Sequence, residues 1–358
     1  MDGTAVIITN GKLATLDCKT AHGLIRGTER FRILGVIDYA YADQDAGDVI
    51  DNKSVGIPVY ESLQAMMENS STKPDFAIVG VALSGGVLPP DFRDVLFDAI
   101  EKGVSVISGL HYHLSQDQAF VEKAKQHQVR LIDIRKPRPA SELSFWSGDI
   151  YRVHTPRIAV LGLDCALGKR TTCRLLMESC RSNGLKTEMI YTGQTGWMQG
   201  YPYGLILDAI PNDFVSGEIE AAIVTCDREK SPDLILIEGQ SALRNPSGPC
   251  GSEFILSGNT KGIVFQHAPF RKYFDQLEEV GCLLPTLGDE IALIDCYGGK
   301  VIAVTLNGAG GTAEELITYQ KDLSHKLDVP VIRPLEEGVE KLYPVVRKYI
   351  EKHNTGQV

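Results

Sequence analysis

The sequence predicts an α/β protein made of two doubly wound, mostly parallel sheets, and three observations carry that prediction. Short β-branched apolar runs alternate with segments of helical period along most of the 358 residues, the pattern of parallel strands covered by helices. The rhythm stops over residues 137–156, where Pro137, Pro139, Ser141, Ser144, Ser147, Gly148 and Pro156 gather, and then restarts. The restart opens on an apolar run, a glycine-bounded loop, a lysine and a helical segment, an order suited to gripping phosphate. A chain of this length exceeds what one core usually serves. The expected division is a Rossmann-like domain over 1–136, a linker over 137–156 and a P-loop NTPase-like domain over 157–358.

In the first domain, strands are expected at 5–9, 33–38, 76–81, 104–108 and 129–133, with amphipathic helices at 63–69, 91–102 and 116–128. Asp38 ends the second strand, where a ribose-binding acid would stand, but Gly11, Gly23 and Gly27 lack the spacing of a dinucleotide fingerprint. Ser84-Gly85-Gly86, Gly109-Leu110-His111 and Asp133-Ile134-Arg135-Lys136 each follow a strand on one edge of the sheet. They would meet a small anionic ligand or the other domain. Within the linker, Phe145, Trp146 and Tyr151 imply packing against a neighbour.

In the second domain, strands are expected at 157–163, 187–191, 233–237, 262–266, 301–306 and 331–333, and helices at 169–183, 213–227, 273–280, 313–326 and 337–352. The loop between the first strand and first helix reads Gly162-Leu163-Asp164-Cys165-Ala166-Leu167-Gly168-Lys169-Arg170-Thr171-Thr172. Its backbone amides and the helix N-terminus would converge on an anion, with Lys169 adding a mobile charge. Two features are irregular: five residues rather than four precede Gly168-Lys169, and Arg170 replaces the Ser or Thr that normally reaches magnesium. The loop therefore promises phosphate binding more firmly than nucleotide hydrolysis.

Further candidates stand at other strand ends. Thr192-Gly193-Gln194-Thr195-Gly196 allows close backbone approach to a ligand, or is a connector. Glu238 follows a buried strand opposite the P-loop, as metal partner, water positioner, general base or simple cap. Asp213 is a catalytic acid or a helix N-cap. His267 could take a proton, or be structural, and Arg271 could clasp a carboxylate. Asn307 could read a purine edge or pin a loop.

A balance of 36 basic against 46 acidic side chains, net −10, argues against nucleic acid or an anionic membrane as partner. No apolar run is long enough to span a bilayer, and Met1-Asp2-Gly3-Thr4 lacks the basic stretch of a secretory signal, so a cytoplasmic protein is expected. None of the eight cysteines falls in a Cys-x-x-Cys pair; buried free thiols are expected, and no metal site. An α/β enzyme of this size is expected to be a homodimer or homotetramer.

With these segments assembled, the chain resembles a family catalogued as a domain of unknown function, with a Rossmann-like N-terminal and a P-loop C-terminal domain. Some of its members are assigned as D-glutamate N-acetyltransferases. The resemblance runs through Thr20-Ala21-His22-Gly23-Leu24, Gly85-Gly86-Val87-Leu88-Pro89, Gly109-Leu110-His111, Asp133-Ile134-Arg135-Lys136-Pro137, residues 164–172, Thr192-Gly193-Gln194-Thr195-Gly196 and Glu238-Gly239-Gln240. The P-loop is also similar to that of dethiobiotin synthetase, which shares the extra residue but keeps a hydroxyl after the lysine. The resemblance implies transfer of an acetyl group from acetyl-CoA to the amine of D-glutamate, a small-molecule amino-acid substrate. Asp164, Gly168, Lys169, Arg170, Thr171 and Thr172 would then hold coenzyme A phosphates. Glu238, or else His267 or Asp213, would be the base. Gly193, Gln194, Thr195 and Gly196 would serve the substrate and its oxyanion, and Arg244 or Arg271 its carboxylate. The alternatives are a nucleotide-dependent kinase, ligase or NTPase, which would need magnesium, and a non-catalytic sensor of nucleotide or coenzyme A.

Overall fold

The computed structural model describes residues 2–83 and 88–357. The chain forms two compact units, residues 1–138 with 193–202, and residues 139–192 with 203–358. In the first, strands β1 (Gly3–Ile8), β2 (Phe31–Ile37), β3 (Val59–Tyr60), β4 (Phe76–Val79), β5 (Ser105–Ser108) and β6 (Leu131–Asp133) form one sheet in the order β3-β2-β1-β4-β5-β6. Every pairing is parallel. That is the order of a doubly wound sheet whose winding reverses at β1 and β4. Helices α1 (Lys19–Ile25), α2 (Ala46–Asp51), α3 (Leu63–Asn69), α4 (Pro90–Glu101) and α5 (Gln118–Gln126) connect the strands. Their starts follow local chemistry, with Asp45, Ser62 and Asp117 accepting first-turn amides as N-caps.

The second unit holds β7 (Arg157–Gly162), α6 (Lys169–Ser182), β8 (Thr187–Tyr191), β9 (Tyr203–Gly204), α8 (Asn212–Lys230), β10 (Leu234–Glu238), α9 (Ser252–Leu256) and β11 (Gly262–His267). It continues through α10 (Leu287–Cys296), β12 (Lys300–Leu306), α11 (Ala313–Lys326), β13 (Val331–Ile332), α12 (Pro334–Glu337) and α13 (Tyr343–Asn354). The all-parallel sheet runs β13-β12-β11-β7-β10-β8-β9. Every residue of β7, β10 and β11 is buried, which is why these strands read as unbroken apolar runs and not as alternation. With β7 between β10 and β11, the P-loop opens at the centre of the sheet.

The expected helix at 273–280 does not form. Positive φ at Gln276 (64°) and Gly281 (68°) breaks the turn, and Phe274 and Leu284 bond across to Cys282 and Lys272 in a short hairpin-like loop. The helix expected at 337–352 is divided because Gly338 takes φ 75° and Pro344 sits at the start of α13. Residues 139–156 belong to the second unit and are strapped along α8. The buried carboxylates of Glu218 and Glu220 accept from the amides of Ser144 (2.7 Å), Ser147 (2.6 Å) and Ile150 (3.0 Å). Gly217 permits this approach, since a Cβ there would lie 2.2 Å from the Ser144 carbonyl oxygen.

Helix α7 (Gln194–Gln199) was expected with the P-loop domain but folds into the first unit, against α1. Gln199 Nε2 donates to the carbonyls of Gly23 (2.8 Å) and Gly27 (3.1 Å), Met198 enters the core, and Arg30 lies 3.9 Å from the Trp197 ring centroid.

Candidate functional site

The P-loop runs from the end of β7 into α6. Gly168 is the N-cap of α6 at φ 94°, a left-handed conformation that suits glycine, and no side chain caps this helix. Ala166 also takes positive φ (53°). Alternation of this kind turns successive amides toward a common point and builds an anion nest. Lys169 is buried and donates to the carbonyls of Asp164 (2.6 Å) and Ser241 (2.8 Å), while burial pulls its pKa down. An ammonium has three protons, and these two bonds use two of them.

The loop is braced from three sides. Asp164 is fully buried; its Oδ2 accepts from Arg271 (2.9 Å) and the Asp275 amide (2.7 Å), and its Oδ1 from Asn245 (3.2 Å). Arg271 also donates to the Cys165 carbonyl (2.8 Å). It faces inward as a brace rather than outward as a carboxylate clasp. Asn307 Nδ2 donates to the Leu167 carbonyl (3.0 Å), so of its two sequence readings the structure shows the loop pin. Thr172 and Thr305 both donate to Gln266 Oε1 at 2.7 Å, fixing α6 to β11 and β12.

Glu238 ends β10 beside this loop. Its Oε2 accepts from the Thr192 amide (3.0 Å), its carbonyl accepts from the Thr192 hydroxyl (2.8 Å), and Gln240 donates to that same hydroxyl (3.0 Å). Burial pushes its carboxyl above the ordinary range, opposed by the charges of Arg170 and, less strongly, Lys169. On the other flank, at the end of β11, His267 pairs through Nε2 with the Tyr319 hydroxyl (2.9 Å), while buried Nδ1 has no partner. Burial lowers this imidazole to about 4, so it is neutral near pH 7.

The other expected site residues make contacts of their own. Asp213 is exposed within the first turn of α8, where Pro211 and not Asp213 is the N-cap. Gln194 and Thr195 turn to Thr20 in the first unit (3.5 and 3.2 Å), and the Gly196 amide bonds to the Gly193 carbonyl (3.1 Å). Arg244 pairs with Glu290 and reaches Asp289 (3.8 Å), but stays partly exposed. In the first unit, Asp38 is not poised for ribose: its carboxylate is consumed by Thr9 (2.6 Å) and the amides of Leu13 and Ala40 (3.0 Å each). Asp133 accepts the amides of Leu114 and Ser115, and Arg135 donates to the Gly109 carbonyl, so this edge is internally tied. Residues 84–87, which include Ser84-Gly85-Gly86, lie outside the described residues. Of the cysteines expected to be buried, Cys165 and Cys282 are half-buried and Cys296 is exposed.

Two family descriptions match this chain: the "domain of unknown function (DUF1611_C) P-loop domain" over residues 144–343 and the "DUF1611_N Rossmann-like domain" over 40–137. The chain belongs to the DUF1611 family. A crystal structure of a DUF1611 family protein from Anabaena variabilis superposes with a TM-score of 0.86 at 25% identity, covering 96% of this chain and 99% of the other. Two curated relatives are named D-glutamate N-acetyltransferase. The one from Pseudoalteromonas sp is 28% identical over 272 residues, and the one from Tritonibacter scottomollicae 27% over 278, each match covering 74% of this chain and 79% of the relative. In this DUF1611 member, sequence reasoning missed Gln266 and Asn245 as parts of the cradle. Gln266 follows the run Ile263-Val264-Phe265 and its role depends on pairing in space, which no local spacing announces.

Proposed function

We propose that this protein is an N-acetyltransferase that moves the acetyl group of acetyl-CoA to the amine of D-glutamate. The observation that carries the reading is the cradle itself: a P-loop with two cations, Lys169 and Arg170, and no hydroxyl in the position that serves magnesium. The names of the two curated relatives support the acyl acceptor. Gly168, Lys169, Arg170 and Thr171 would grip coenzyme A phosphates through charge-assisted bonds, each contributing about 1.5 to 3 kcal/mol, whereas the Thr172 hydroxyl, expected among them, is committed to Gln266. Glu238 takes one proton from the ammonium so that the nitrogen lone pair is available. The amine then attacks the thioester carbonyl carbon, a C–N bond forms, the C–S bond breaks, and the second proton that the nitrogen sheds on becoming an amide goes to the departing coenzyme A thiolate. A carboxyl raised by burial is a stronger base once ionised, and Arg170 favours that ionised state. Arg244, partly exposed, is the cation offered to the substrate carboxylate.

Release of free thiol from acetyl-CoA is expected with D-glutamate, without ADP release from ATP and magnesium. No thiol release with any amino acid would sink the reading, and ADP release would replace it with a nucleotide-dependent one. In the same assay, Glu238→Gln should lower turnover by about 10² to 10⁴ and leave acetyl-CoA affinity intact. Turnover at the wild-type level would remove Glu238 as the base.

A further inference from the structure

We infer that the guanidinium of Arg170 is a built-in replacement for the divalent cation of nucleotide-hydrolysing P-loop proteins, so that this loop binds a diphosphate group without metal. The inference rests on the phosphate-binding reading of the loop, but not on the identity of the acyl acceptor.

In a nucleotide-hydrolysing P-loop, magnesium is held by the hydroxyl straight after the lysine and by an acid at the end of a neighbouring strand. The residues here do not fit that ion. The position after Lys169 is Arg170, a cation with no acceptor to offer a metal. Successive residues on a helix turn by about 100°, so the hydroxyls of Thr171 and Thr172 are carried progressively around α6 from that position. Thr172 has turned to the β11 side, where its hydroxyl is already spent on Gln266 Oε1 (2.7 Å). The acid is present, as Glu238 at the end of β10, a strand paired directly with β7. The charge that acts on it most strongly is Arg170, ahead of Lys169.

A guanidinium in the position after the lysine thus brings to the loop the positive charge that a metal would bring. It supplies planar paired donors to phosphate oxygens, always charged and with no dependence on metal supply.

The test is isothermal titration of the full chain with inorganic pyrophosphate, in EDTA and in magnesium, followed by titration with coenzyme A. The wild-type protein is expected to bind pyrophosphate in EDTA and no more tightly with magnesium. Arg170→Thr, which restores the hydroxyl after the lysine, is expected to lose tenfold or more in affinity in EDTA, of the order expected for one charge-assisted contact. Arg170→Lys covers the case in which Arg170→Thr does not fold; it should lose several-fold through the missing fork and gain nothing from magnesium. Glu238→Gln removes a negative charge facing the phosphates and is expected to bind pyrophosphate in EDTA at least as tightly as wild type. Wild-type binding that requires magnesium, absence of pyrophosphate binding in EDTA, or unchanged affinity in Arg170→Thr would each overturn the inference. Binding of pyrophosphate without binding of coenzyme A would leave Arg170 in this role and instead end the acetyl-CoA reading.

Discussion

Asp164 shows how one side chain can organise a loop by tying its neighbours together. It fastens the P-loop to the 241–245 segment through Asn245 and to the 271–275 segment through Arg271 and the Asp275 amide. The sequence marked Asp164 and Arg271 as important but assigned both to ligands, because a motif reports residue type and spacing and not which groups satisfy each other. His267 has the opposite character, a buried base whose environment costs stability in acid. Its imidazole titrates near 6.5 when unfolded and at about 4 when folded, so the unfolded chain binds more protons between those values. The stability tied to the neutral ring is fully present above pH 6.5 and is lost as pH falls toward 4, on the order of 3 kcal/mol. Chemical denaturation of His267→Gln at pH 7 and pH 4.5 should therefore show a smaller loss than wild type; equal losses would contradict this account.

Among elements, the 139–156 strap and helix α8 act as one piece. The strap carries short 3-10 turns at Ala140–Glu142 and Asp149–Arg152, and the amides of Ser144, Ser147 and Ile150 are satisfied by two carboxylates of the helix instead of a backbone ladder. Removing Glu220 leaves the Ser147 and Ile150 amides without their acceptor, at about 1.5 to 3 kcal/mol for a charged hydrogen bond. Glu220→Ala is expected to lower the melting temperature and open a cleavage site for trypsin at Arg152. Protease resistance equal to wild type would show that the strap is held by other means. The linker reading came from proline and serine composition, which records the lack of periodicity correctly but says nothing of a helix 70 residues further on. Except for β3 and β9, two-residue edge strands too short to stand out and not expected from the sequence, strands were legible to within a residue or two, because a buried strand leaves an apolar run that polar neighbours end. The helix expected at 273–280 failed for a different reason: its apolar spacing was helical, but the two positive-φ residues and the cross-bonds to Cys282 and Lys272 outweigh that local preference.

At the scale of the molecule, both sheets and their parallel character follow from the alternation of elements, and the P-loop opens from the central strand of the second sheet. The chain path did not follow, because a short polar helix after β8 reads as an ordinary connector. It is instead part of the first unit, supplying Met198 to the core and Gln199 to two carbonyls near the end of α1. A fragment of residues 1–138 therefore lacks part of its own interior. It should be less cooperative in thermal unfolding and expose apolar surface to a dye such as ANS, and a peptide covering residues 193–202 should reduce that exposure. A sharp, dye-silent transition in the fragment would show that α7 is dispensable. The same feature sets a clock on biosynthesis. Domains generally fold in order as they leave the ribosome, at roughly 5 to 20 residues per second. The first unit must wait through the 64 residues from 138 to 202, roughly 3 to 13 s, for its missing helix. During that interval the P-loop strand and β8 have already been made, so this N-terminal half is completed from the middle of the message and not before it.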